Sequence, residues 1–255
     1  MKRAMFGKAA IAIVLCGPGV ACSPPAAPAE KAEPPGAVGR WTRPPLIRAV
    51  ERVSGGLVFT GQAEPGARIV LRNKSGPAYA AVTDSRGRFG IRIDTPTGDL
   101  LLRPETQLGQ DAVPAPERLL ILAGGRGPVA ILRAGGATRR LDRSPPLGAV
   151  DSDGRMRLVS GRSAPGGPPI NLQAGGENGQ VTPDGAGRWS LVLASAVGPD
   201  AIRVGQRTFT WPGEGTGAGG AGEGEMQVER AGTGWRVVWS GPAGVRQTTW
   251  LPDSE

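Results

Sequence analysis

Short stretches in which apolar and polar residues alternate recur along the chain, and each predicts a β-strand. Phe89, Ile91 and Ile93 are separated by single small or charged residues, which places the three side chains on one face of a strand. Similar runs occupy residues 57–60, 68–71 and 78–83, with turn residues between them. A strand spacing of about 8 to 12 residues is typical of a β-sandwich. No stretch keeps the helical period of about 3.6 residues over several turns.

The chain also contains an internal repeat whose two copies lie a hundred residues apart. Residues 60–66, TGQAEPG, recur at 160–166 as SGRSAPG. Residues 84–89, DSRGRF, recur at 184–189 as DGAGRW. The shared positions are turn residues and strand anchors, so we expect the two copies to fold alike.

The repeat divides the chain into two predicted units. The first β unit covers residues 46–143, which we expect to fold alone, and the second covers 147–211. Three short strands follow each repeat and predict an antiparallel meander; the alternative is that these tails are unrelated. The second meander lies in 225–255, and we expect it to complete the second unit across a Gly-rich linker at 212–224. Prolines at 168–169 predict an edge strand there.

The repeated motif resembles a known class of module. Thr-Gly-x-Ala-x-Pro-Gly, followed after a gap by Asp-x-x-Gly-x-Phe or Trp, is similar to the bacterial Ig-like and carboxypeptidase-regulatory-like modules of cell-envelope proteins. The resemblance implies an all-β fold of two tandem Ig-like β-sandwich units. It also implies a spacer, an adhesive unit or an accessory domain rather than an enzyme.

Residues 1–21 have the organisation of a bacterial signal peptide. Lys2, Arg3 and Lys8 form a charged start, and an apolar run covers residues 9–16. That run is much shorter than the roughly 20 residues that a membrane-spanning helix needs. The chain is therefore expected to be exported.

Cys22 is the candidate site of lipid attachment. The three residues before it, Gly-Val-Ala, resemble a bacterial lipobox, although Gly19 stands where Leu is usual. Ser23 after the cysteine resembles the outer-membrane sorting pattern. The expected location is the outer membrane, facing the periplasm; the alternative is ordinary cleavage and a secreted or periplasmic protein. The segment 22–45, rich in Pro and Ala, predicts a tether of up to about 70 Å.

The composition argues against catalysis and against a metal site. The chain has no His, which removes imidazole bases and most zinc sites. Residues 151–154, DSDG, resemble the start of a calcium loop, but Arg162 stands at the twelfth position, where a carboxylate is needed. Asp84 and Asp184 are expected to cap turns. We expect no catalytic residues, no metal and no cofactor.

The net charge of +8 reflects a chain rich in arginine. The densest cluster is Arg139, Arg140 and Arg143, and the residues are otherwise scattered, which favours a solvated face over an anionic partner. We therefore expect no nucleic acid partner.

Trp235, Trp239 and Trp250 crowd into the last part of the chain and form a candidate binding face. Exposed Trp side chains bind sugar rings or proteins, whereas buried ones complete a core, and core packing is the favoured interpretation. The expected function is a non-catalytic envelope lipoprotein whose Ig-like modules space or bind other envelope proteins. The alternative is a lipoprotein that binds glycan or peptidoglycan through this Trp face.

Overall fold

The computed structural model describes residues 42–254, except 195–197, 216–224, 242–243 and 245. The described residues are mostly β-strand and contain no α-helix, which confirms the all-β prediction. A short 3-10 turn occupies Ala123–Gly125. The described part of the chain has no helix long and apolar enough to cross a membrane.

The first repeat and its meander form ten strands. The repeat provides β1 (Leu46–Val53), β2 (Gly56–Gln62), β3 (Arg68–Asn73), β4 (Ala78–Val82), β5 (Arg88–Asp94), β6 (Leu100–Leu108) and β7 (Asp111–Pro114). The meander provides β8 (Arg118–Ile121), β9 (Val129–Leu132) and β10 (Arg139–Arg140).

The second repeat and its meander follow the same plan. The repeat provides β11 (Leu147–Ser152), β12 (Met156–Arg162), β13 (Ile170–Ala174), β14 (Glu177–Val181), β15 (Arg188–Ala194), β16 (Asp200–Val204) and β17 (Arg207–Trp211). The meander provides β18 (Met226–Arg230), β19 (Gly234–Ser240) and β20 (Arg246–Pro252).

These strands pair antiparallel in four sheets. Sheet 1 has the order β1-β2-β5, and sheet 2 the order β10-β9-β8-β6-β3-β4, with β7 also paired to β6. Sheet 3 has the order β15-β12-β11-β20-β19-β18, and sheet 4 the order β14-β13-β16-β17. Strands β1 to β7 thus have the same pairings as β11 to β17.

The repeat extends to local irregularities. A register shift between Ile47 and Ala49 of β1 recurs between Leu147 and Ala149 of β11. The edge strand predicted from the prolines at 168–169 is wrong, because β13 lies between β14 and β16. Both prolines precede the first residue of β13, so no hydrogen bond of the ladder is lost there.

The two meanders attach to different sheets. The first extends sheet 2, because β8 pairs with β6. The second extends sheet 3, because β20 pairs with β11 and places Trp250 opposite Val150. The tails therefore resemble each other in strand number but not in position.

Each repeat encloses its own hydrophobic core. Sheets 1 and 2 pack around Phe59, Ile69, Leu71 and Ile91. Sheets 3 and 4 pack around Trp189, Trp211 and Trp250. The alternating apolar residues of β5 point into the first core, as their spacing predicts.

A third core joins sheet 2 to sheet 3, and we call it the junction core. Its buried members come from both repeats and their meanders: Leu101, Leu120, Leu122, Ala130, Leu132, Ala149, Val237, Trp239 and Leu251. In β8, Leu119 and Ile121 face the first core while Leu120 faces the junction core, so this strand is buried on both sides. The residues Trp41–Glu255 accordingly form one compact unit.

Candidate functional site

The structure gives the candidate site residues different surroundings. Cys22 lies outside the described residues. Trp239 and Trp250 are both 0% exposed, so neither ring offers a face to a ligand. Trp239 belongs to the junction core, and the indole N–H of Trp250 donates to the carbonyl of Ala231 at 2.9 Å in the second core.

Trp235 is half-buried, and its ring is in contact with other side chains of the protein. Its ring packs against the junction core, and the guanidinium carbon of Arg230 lies 4.7 Å from the ring centroid. Asp253 accepts two hydrogen bonds of 2.6 Å from that guanidinium and holds it in place. Two of the three rings of this candidate binding face are therefore buried and the third is partly covered, which favours the core-packing interpretation.

The repeated aspartates cap hairpin turns. Asp84 Oδ1 accepts from the backbone N–H groups of Arg86 and Arg88 at 2.8 and 2.9 Å, and its other oxygen accepts from the Arg88 side chain. Asp184 makes the equivalent three bonds with Ala186 and Arg188. These bonds lower the pKa of both carboxyls, the backbone N–H of Arg88 or Arg188 having the largest effect.

Glycine completes the same turn in both copies. Gly87 and Gly187 have φ of +73° and +75°, a conformation that L side chains rarely adopt. A Cβ atom at either position would also collide with a backbone carbonyl, that of Ala63 or Ser163. The shared motif is thus explained by turn geometry.

Asp151 and Asp153, the carboxylates of the calcium-like stretch, have structural partners. Asp153 Oδ1 accepts from the backbone N–H groups of Arg155 and Met156 and closes the hairpin. Asp151 is buried in the junction and accepts from the N–H and hydroxyl of Thr138 at 2.7 and 2.6 Å, and from the hydroxyl of Thr249 at 2.7 Å. Burial raises the pKa of Asp151 to about 6, against the opposing effect of these hydrogen bonds. No cluster of potential metal ligands occurs among the described residues.

A cleft with a volume of about 810 Å³ lies between the two repeats. Its apolar wall includes Pro45, Ile47, Ile131 and Trp189. Two carboxylates, Glu117 and Asp184, also line it, together with six arginines: Arg43, Arg133, Arg139, Arg140, Arg162 and Arg188. The volume is in the range of small-molecule sites, which is about 300 to 1,000 Å³.

Arg139 is one of these six arginines, and its charge is partly buried. It is half-buried, and its guanidinium donates to the carbonyl oxygens of Ile47 and Arg48 in β1 rather than to a carboxylate. Burial, followed by repulsion from Arg188 and Arg162, lowers the pKa of Arg139 to about 10. The guanidinium stays protonated at neutral pH and makes no salt bridge among the described residues, although attraction from the Glu117 carboxylate offsets part of the repulsion.

The other arginines differ in how they are neutralised. Arg140 is buried and forms a 2.7 Å ion pair with Asp142. Arg133 pairs with Glu117 at 2.9 Å and Arg188 with Asp184 at 2.8 Å, both at the surface. Within the part of the chain that the structure describes, Arg162 makes no salt bridge. The cleft therefore presents an excess of guanidinium groups beside an apolar wall.

The sequence did not reveal this cleft, because its arginines come from separate segments. Arg139 and Arg140 were expected on a solvated face, yet one is half-buried and the other buried. Arg162 and Arg188 join them only through the packing of the two repeats. An adjacent arginine pair at the end of the first unit was the one available signal.

No protein-family model matches the chain, and no curated protein matches it either.

Proposed function

We propose that the protein is a non-catalytic envelope lipoprotein, anchored through an acyl chain on Cys22, whose two β-sandwich repeats act as a spacer and protein-binding unit at the outer membrane. The sequence supports export and anchoring through the charged start, the short apolar run and the lipobox-like residues before Cys22. Two or three acyl chains hold a protein stably on a membrane, at about 0.8 kcal/mol per buried methylene.

The junction core is the observation that carries the spacer function. Two repeats joined by a flexible linker would move independently, whereas Leu120 and Trp239 bury the contact between these two. Buried interfaces of this kind hold domains in a fixed orientation. Two repeats held in a fixed orientation are suited to presenting a constant surface to a protein partner.

The polar residues near the junction have structural hydrogen-bond partners, which agrees with a binding function rather than catalysis. The Ser160 hydroxyl in the cleft donates to the carbonyl of Thr138 at 2.9 Å, and Asp151 is enclosed by hydroxyl and amide donors. These groups stabilise the junction between the repeats. Glycan binding through the Trp face loses its support, since Trp239 and Trp250 are buried.

The test has two arms, one for the anchor and one for the partner. Labelled palmitate should enter the wild-type chain and not the Cys22→Ser variant, and the wild type should fractionate with the outer membrane. Acylated wild-type chain should then retain proteins from solubilised envelope and should not bind purified peptidoglycan. An unlabelled, soluble wild type would refute the anchor, and retention by peptidoglycan alone would refute the protein-binding role.

A further inference from the structure

The cleft between the repeats has the features of a ligand site beyond the spacer function. Arg139 and Arg162 make no salt bridge among the described residues. Repulsion from Arg188 and Arg162 lowers the pKa of Arg139, and attraction from Glu117 offsets this only in part. Like charges held together in a partly buried site repel, and the repulsion is relieved when an anion lies between them. The arrangement therefore favours binding of a negative group.

The N–H donors of the arginines indicate which type of anion the cleft would bind. A guanidinium group is planar and offers paired N–H donors that match the two oxygens of a carboxylate or phosphate. In Arg139, donors of both terminal nitrogens already bond to the carbonyls of Ile47 and Arg48, which fixes the orientation of the group. Arg162 is exposed and makes no salt bridge among the described residues, so its guanidinium can turn toward a ligand. Arg188 is held by Asp184 through Nε and Nη2 and offers its remaining N–H donors.

The wall of the cleft adds an apolar component, and one of its side chains has an unsatisfied polar group. Pro45, Ile131 and Trp189 line the cleft together with the arginines. The indole N–H of Trp189 is buried and has no acceptor among the described residues; the same holds for the Thr106 hydroxyl, which is not part of the cleft. A buried donor without an acceptor is costly, at about 1 to 3 kcal/mol, so such groups call for an explanation.

We propose that this cleft binds an oxyanion, a carboxylate or a phosphate, carried by a small ligand with an apolar portion, and that Arg139, Arg162 and Arg188 hold the anion. The size of the cleft suits a ligand of drug-like dimensions or the acidic end of a longer chain. The site does not depend on the acyl anchor, so its test and the test of the lipoprotein role can fail separately.

The internal repeat supplies a matched control. Arg88 forms the same ion pair with Asp84 that Arg188 forms with Asp184, at 2.9 and 2.8 Å, but Arg88 lies outside the cleft. Arg88→Gln and Arg188→Gln therefore remove the same charge and the same turn contact, and only the second changes the cleft. Arg162→Gln is a second cleft variant, because the exposed Arg162 side chain makes no salt bridge that the described residues would lose.

The experiment is isothermal titration of the purified full chain with inorganic phosphate and, separately, with citrate, against chloride at equal ionic strength. We expect saturable binding with one site per chain; binding of phosphate alone or of citrate alone identifies the oxyanion. Arg162→Gln and Arg188→Gln should each weaken binding about tenfold, which corresponds to about 1.4 kcal/mol, and Arg88→Gln should not. Circular dichroism melts of the three variants verify that each one folds.

Two results would overturn the proposal. One is the absence of saturable binding in both arms at an ionic strength of about 0.15 M, where exposed charges are largely screened. The other is an equal loss of affinity in Arg88→Gln and Arg188→Gln, which would show that net charge alone attracts the anion.

Discussion

Replacement of Trp239 by alanine should destabilise both repeats, although the residue belongs to the second meander. Trp239 is 0% exposed in the junction core, and its indole N–H donates to the hydroxyl of Thr249 at 3.2 Å. A buried Trp truncated to alanine typically costs about 3 to 5 kcal/mol, because contacts are lost and a cavity remains. That is a large share of the roughly 5 to 15 kcal/mol that stabilises a folded domain.

Urea unfolding measures the total loss in the free energy of unfolding. Hydrogen exchange shows which strands lose protection. We expect amides of β8 and β9 in the first meander to lose the same protection free energy as amides of β19, because these strands share the junction core. Trp235→Ala makes the same chemical change on the same strand at a half-buried position, and its effect should be smaller. Loss of protection confined to the second repeat and its meander would refute the reasoning.

Two further predictions concern Asp151, whose carboxyl is buried in the junction. Burial raises its pKa to about 6, so between about pH 4 and 6 the folded chain holds a proton that the unfolded chain has released. Asp151 should therefore contribute stability as the pH falls from 7 to 4, by up to about 3 kcal/mol for a shift of about two pH units, measured as the urea midpoint. Asp151→Asn should lose this part of the pH dependence. If the urea midpoint of the variant still changes with pH as it does in the wild type, Asp151 is not the group responsible. The variant should also be less stable at pH 5, because an amide supplies one acceptor oxygen to the Thr138 and Thr249 donors where the carboxyl offers two.

The turns and strands of the repeat were predictable because their signals are local. The aspartates at 84 and 184 and the glycines three residues later encode the same hairpin turn, and the structure reproduces its hydrogen bonds in both copies. The alternation of β5 correctly gave its buried face. Such features depend on residues close together in sequence.

The junction core was not predicted, although one signal pointed to it. Residues 119–122 are a continuous apolar run, Leu-Leu-Ile-Leu, and a strand without alternation is typically buried on both faces. The attachment of each meander to its sheet could not be deduced, because a three-stranded meander can extend either sheet of a sandwich. The cationic cleft depends on that attachment, since Arg139 and Arg188 meet only after the repeats have packed.

The central structural claim is that the two repeats fold as one cooperative body, and calorimetry of the full chain tests it most directly. In the first repeat and its meander, Leu101, Leu120, Leu122 and Leu132 are buried only in the junction core, and at about 1.5 to 3 kcal/mol for each leucine the contact is worth about 6 to 12 kcal/mol. We therefore expect a single transition whose van't Hoff enthalpy equals the calorimetric enthalpy. Two resolved transitions, or a van't Hoff enthalpy of about half the calorimetric value, would contradict the claim and would show that the repeats unfold independently.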